Sequence, residues 1–160
     1  MALSNIMTYD NYGPYHRLAM PRAEFLDYID LPEQQWPETT YGGLYFIFPN
    51  VVINVNSIKD GKQFYGVAKL FPGEQVNTAT TLITTYKPGQ MVHETDDEPW
   101  TTMHDFIHTV VSTEDYSVSE EGQRNMRYAP ADFQPVLGAN ELALQNIHRH
   151  INSILEVAED

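Results

Sequence analysis

The chain has 160 residues, 42% of them apolar and 19% charged, the size and composition of one folded domain, 1–160, with its own core. Acidic residues number 22 against 9 basic ones, a formal charge of -13, which argues against nucleic acid or an anionic membrane as partner because like charges repel. No cysteine is present, which excludes disulfides, thiol catalysis and any iron–sulfur cluster carried by this chain.

The first twenty residues carry Tyr9, Tyr12, Gly13, Pro14 and Tyr15 with little periodicity. They read as an irregular lead-in that must lie against something to be ordered. Arg22 to Ile29 is expected to form a short helix entered by Pro21. Pro32 and Pro37 then hold a loop through Glu38.

The middle reads as four strands. Gly43 to Phe48 and Val51 to Asn56 are apolar, β-rich runs joined by Pro49-Asn50. Asp60-Gly61 signals a hairpin, followed by Gln63 to Phe71, the Pro72-Gly73 turn, and a Thr-rich strand from Gln75 to Tyr86. Short turns between successive strands predict an antiparallel meander.

The end reads as helical. Trp100, Met103, Ile107, Val110 and Val111 form a helical stripe from about Pro99. Leu144, Ile147, Ile151, Ile154 and Leu155 form another from about Asn140, a fitting N-cap. The expected class is α+β: an antiparallel sheet packed against a long helix, plus a C-terminal helix.

Met1 to Asp10 has no basic segment leading into an apolar one, so no secretory signal is read. The most apolar run, Leu44 to Val55, is interrupted by Pro49 and two asparagines and falls far short of the roughly 20 residues that span a bilayer. A cytoplasmic protein without membrane association is expected.

Histidine and aspartate on the first long helix are the candidates for chemistry. At about 100° per residue, His104, His108 and Asp115 project at about 40°, 80° and 60° from Trp100, on one side of the apolar stripe. Such a set suits non-haem iron or zinc. Distance opposes one site made of all three, since Asp115 lies about 10.5 Å along the axis beyond His108. A break at Ser112 or Thr113 would relieve that. From spacing alone two readings stand for Asp115: a metal ligand, or a first-turn carboxylate with Ser112 or Thr113 capping a new helix. His104 and His108 likewise read either as ligands or as polar packing at a core margin. The acidic run Glu94, Asp96, Asp97 and Glu98 lacks the glycine and terminal glutamate of a calcium loop and reads as solvated.

Five segments stand out in order: Asn11 to Arg17, Leu44 to Ile53 around Phe48-Pro49-Asn50, Thr84 to Pro88, Val110 to Tyr116 followed by Gln123, and Leu137 to Glu141 leading to His148. Together they resemble the alpha subunit of Rieske-type ring-hydroxylating oxygenases. The order is that of the family's catalytic domain, and the resemblance covers nearly the whole chain. It implies a START-like helix-grip domain and Fe(II) held by two histidines and a carboxylate. It puts Asp115 at the carboxylate position and His104, His108 and Val111 on the wall of a pocket for a small apolar or aromatic molecule. It further implies an oxidoreductase, a dioxygenase of aromatic-compound catabolism.

The family's iron-binding histidine pair and its iron–sulfur cluster have no counterpart in this chain. Three expectations follow: a fragment of a longer oxygenase, a chain that works with a second chain or missing N-terminal half, or a stand-alone descendant. The rival function is a non-catalytic START-like module binding a small apolar ligand, which needs neither iron nor cysteine. An uncovered sheet edge predicts a homo-oligomer.

Overall fold

The computed structural model describes residues 7–36, 41–58, 62–75, 77–93 and 95–158. Its strands are β1 (Thr8–Tyr12), β2 (Tyr15–Pro21), β3 (Tyr41–Ile47), β4 (Val51–Ser57), β5 (Gln63–Pro72) and β6 (Ala79–Tyr86). They follow one another in a single six-stranded sheet. The registers of β1 with β2, β2 with β3 and β5 with β6 are all antiparallel. Helices follow: α1 (Glu98–Val110), a π-helical turn (Val111–Asp115), α2 (Tyr116–Met126) and α3 (Leu142–Ala158). The class is α+β, as the sequence predicts.

By backbone packing the chain divides into two compact units, 1–53 with 135–160, and 54–134. In the first unit the expected irregular lead-in is instead a hairpin. Tyr12 pairs with Tyr15 across Gly13-Pro14. Gly13 has φ 72°, as the first central position of a type II′ turn requires and a residue with a Cβ resists. Leu18 and Ala19 then pair with Leu44 and Gly43 of β3. The pairing partners are distant in sequence, so local periodicity does not show them. Arg22 to Ile29 yields only a 3₁₀ turn, Ala23–Asp27, where Phe25 is buried edge-on to Trp36 with ring centroids 5.0 Å apart.

The start of α3 also differs from expectation. Glu141, not Asn140, stands at its entrance. The Glu141 carbonyl accepts the Gln145 N–H at 3.0 Å, its side chain accepts from Gly138 N–H, and Gln145 Nε2 donates to the Gly138 carbonyl at 2.7 Å. The side-chain and backbone bonds close the entry loop on itself.

In the second unit β5 and β6 pair from Tyr65 with Tyr86 to Pro72 with Ala79. The strand expected from Gln75 begins four residues later. Asn77 turns the chain at φ 68°, a left-handed conformation that asparagine tolerates, and Thr78 closes the turn on Gly73 and Gln75. A Cβ on Gly73 would fall 2.8 Å from Thr78 Cβ, so the turn needs glycine there. The hairpin signal Asp60-Gly61 lies outside the described residues, as do Pro37, Glu38 and Glu94.

α1 begins at Glu98 with Pro99 in its first turn, where a missing N–H costs nothing. Its apolar stripe meets the strands: Ile58, Phe64 and Trp100 are buried together, with Met91, Met103 and Ile107 packed against them. The Trp100 indole N–H donates to the Gln63 carbonyl at 3.0 Å. The helix does not break at Ser112 or Thr113. It widens: the Tyr116 N–H reaches the Val111 carbonyl five residues back, and α2 continues directly.

Candidate functional site

His104 leaves α1 toward β6, where its Nδ1 lies 2.9 Å from the Thr85 hydroxyl. One turn on, His108 is exposed, its ring centroid 6.5 Å from that of His104. Val111 is half-buried and opens the π-turn, and Asp115 closes it. Asp115 is exposed. Its carbonyl accepts the Ser119 hydroxyl at 2.8 Å, while its carboxylate has no partner among the described residues.

A cavity of about 370 Å³ lies between β6 and α1, lined by Ile83, Thr85, Lys87, Asp97, Trp100 and His104 among others. Trp100 forms its inner wall. The Lys62 and Lys87 ammonium groups stand 5.0 and 4.5 Å from the Trp100 ring centroid, a favourable placement against the negative ring face. Lys87, which follows β6, also pairs with Asp97; Asp96, Asp97 and Glu98 are all exposed, as a solvated run requires. Thr85 and the lysine–tryptophan–aspartate group escape sequence reasoning because their partners are brought together by the α1–β6 packing. The only local signal is the Thr-rich strand.

The structure brings His104 to this cavity. His108, Val111 and Asp115 are outside its lining. His104 and Asp115 are separated by about 16 Å of helix axis. Among the described residues no group of three or more His, Asp or Glu is placed to hold a metal ion. The described residues therefore do not assemble the two-histidine, one-carboxylate set that non-haem iron takes.

The remaining polar cluster belongs to the first unit. His16 is buried, and its ring lies parallel to those of Tyr9 and Phe46 at 5.7 and 5.8 Å. The Asn146 amide nitrogen donates to the Gly13 carbonyl at 2.7 Å and stands 3.4 Å from His16 Nε2. A carbonyl only accepts, so the Asn146 orientation is fixed and His16 Nε2 is the acceptor. His16 Nδ1 then carries the proton and donates to the Tyr9 hydroxyl at 2.9 Å. Burial lowers the His16 pKa from its ordinary value, and the charge of His150 lowers it further. Burial raises that of Tyr9, opposed by Arg149. Each ring nitrogen has a partner, so this is a structural joint between α3 and the first hairpin.

No helix among the described residues is long and apolar enough to cross a membrane. The family model described as ring hydroxylating alpha subunit (catalytic domain) matches residues 2–157. No match was found among curated proteins or among solved structures.

Proposed function

Since the chain belongs to the ring hydroxylating alpha subunit (catalytic domain) family, we propose that it forms the catalytic-domain portion of a non-haem iron oxygenase that inserts oxygen into a small apolar or aromatic molecule. The match along residues 2–157 carries this reading. It favours the oxygenase over a non-catalytic binding module of the same architecture.

In this reading Asp115 is the carboxylate ligand, and His104, His108 and Val111 line the substrate space. The exposed, unengaged Asp115 carboxylate supports its part: a carboxylate held by internal partners would have little capacity left for a ligand. The single-domain reading of 1–160 belongs to the same proposal. So does a homo-oligomer, whose copies or partners supply what the described residues lack.

That lack is chemical. The family's iron–sulfur centre requires cysteine, and this chain has none. The described residues hold no three-ligand metal group. The two histidine ligands and the electron supply therefore come from outside the described residues, and the isolated chain is expected to be inactive.

The test is iron content after anaerobic loading with ferrous ion, for the assembly that supplies the two histidines, formed with the parent chain and with Asp115→Ala. Near-stoichiometric iron that vanishes in the variant supports the reading. Iron retained by Asp115→Ala overturns the role of Asp115. Turnover by the isolated chain with a reductase overturns the claim that it is incomplete.

A further inference from the structure

A straight α-helix through Trp100 would put Gln123 at about 140°, turned away from the stripe that meets the sheet. In the structure the Gln123 side chain instead reaches the β5–β6 hairpin. Its Nε2 donates to Asn77 Oδ1 in the β5–β6 turn at 3.2 Å. His104, at about 40° from Trp100, meets Thr85 on the same hairpin. The two contacts are spaced consistently. From His104 to Gln123 is about 28 Å of helix, and from Thr85 back to Asn77 is about 26 Å of strand. α1 meets β6 at Thr85, and the exposed Gln123 side chain of α2 reaches the turn that precedes β6.

The π-turn reconciles these positions. Its wide turn adds one residue, which turns everything after it back by about 100°. Gln123 then falls at about 40°, the azimuth of His104. Asp115 moves from about 60° to about -40°, between Met103 and Ile107. Met103 and Ile107 pack on the buried cluster. By this count position 115 falls on the azimuth of the sheet-facing stripe instead of beside it, beyond the buried cluster, where its carboxylate stays exposed.

The sequence shows why the helix widens here. Ser112 and Thr113 both donate their hydroxyls to the Thr109 carbonyl, at 3.1 and 2.7 Å. The Ser117 hydroxyl donates to the carbonyls of Thr113 and Glu114, at 2.8 and 2.9 Å. Hydroxyls bonding back along a helix supply donors to carbonyls whose regular partners have shifted. Three hydroxyl residues crowd within six positions around the turn.

We infer that the π-turn Val111–Asp115, pinned by Thr113 on the Thr109 carbonyl and by Gln123 on Asn77, is the device that aims Asp115 along the sheet-facing stripe. Thr113 and Gln123 are accordingly positioning residues. The inference rests on the reading of Asp115 as a working carboxylate, but its geometry is measurable without any metal.

The absence of cysteine makes paired spin labels unambiguous. Labels at Asp115→Cys and Leu82→Cys report the direction of position 115 relative to β6. Labels at Asp105→Cys and Leu82→Cys report the helix before the turn. Deleting Ser112 removes the extra residue; a rotation of about 100° moves the Cα at 115 by about 3.5 Å at a helix radius of about 2.3 Å, and the label by more. The expected result is a shifted or split 115–82 distance in the deletion, a broadened one in Thr113→Val, and the parent distance restored in Thr113→Ser. The 105–82 distance stays constant throughout. An unchanged 115–82 distance in the folded deletion overturns the inference. If the deletion does not fold, Thr113→Val decides: a parent-like distribution there overturns it equally. The iron measurement on Asp115→Ala is separate, so loss of the oxygenase reading leaves the distances standing, and the reverse.

Discussion

The Asn146 amide of α3 reaches the Gly13 carbonyl in the first hairpin at 2.7 Å, across 133 positions of sequence. The same nitrogen faces His16 Nε2. One side chain therefore holds the hairpin turn and fixes the tautomer of a buried histidine.

Replacing Asn146 by alanine leaves His16 Nε2 buried without a donor. The expected cost is about 1–3 kcal/mol, the range for an unsatisfied buried polar group. Denaturant unfolding followed by circular dichroism reads it as a lower midpoint with an unchanged slope. Parent-like stability would mean that the joint contributes nothing.

Acid should act on the same joint. His16 is lowered from the ordinary value of 6.5, mainly by burial and then by His150. The groups around it are Tyr9 on β1, Phe46 on β3, and Asn146, Arg149 and His150 on α3; none carries a negative charge to favour its protonation. The unfolded chain binds this proton at a higher pH than the folded chain does. The stabilisation is fully present above 6.5 and is lost as pH falls from there through the lowered folded value. The stability difference between the parent and His16→Gln should shrink over that window, measured by urea unfolding at a series of pH values. Asn146→Asp supplies a carboxylate beside the ring, so its acid loss should weaken or reverse.

These two elements mark where local reading works and where it stops. β3 to β6 were legible because apolar, β-branched and Thr-rich runs end in Pro- and Gly-containing turns, as at Pro72-Gly73. The β1–β2 hairpin was not, because its support comes from Leu44 and Gly43 of β3. The Gly13-Pro14 pair between tyrosines was its one local signal. The α1 stripe was legible up to Val111. Beyond that, a fixed 100° step misplaces Asp115 by about one residue's rotation, because the π-turn depends on which hydroxyls bond back to Thr109. The resemblance located Asp115 as a candidate; nothing in the spacing gave its direction.

Trp100 tests the α1–β5 contact. It is buried, and its N–H is bonded to the Gln63 carbonyl. Trp100→Phe keeps an aromatic ring against Phe64 but removes the donor and some volume. A loss of about 1–3 kcal/mol is expected from the carbonyl left unpaired, read as a fall in unfolding midpoint. Trp100→Ala should cost more, about 3–5 kcal/mol, through the cavity it opens in the core.

Asp115 should behave in the opposite way. Its carboxylate is exposed and has no partner among the described residues, and it sits in a helical stretch carried by backbone and hydroxyl bonds. Asp115→Asn preserves shape and removes only charge, so unfolding stability should change by less than about 0.5 kcal/mol. Under the proposed function, the same substitution should sharply lower iron occupancy in the assembled oxygenase, because a neutral amide is a weaker donor to a hard cation than a carboxylate. Unchanged stability with lost iron is the signature of a residue retained for chemistry. A large loss of stability with iron content per folded molecule unchanged would instead make Asp115 a structural carboxylate, the second of the two roles its spacing permits.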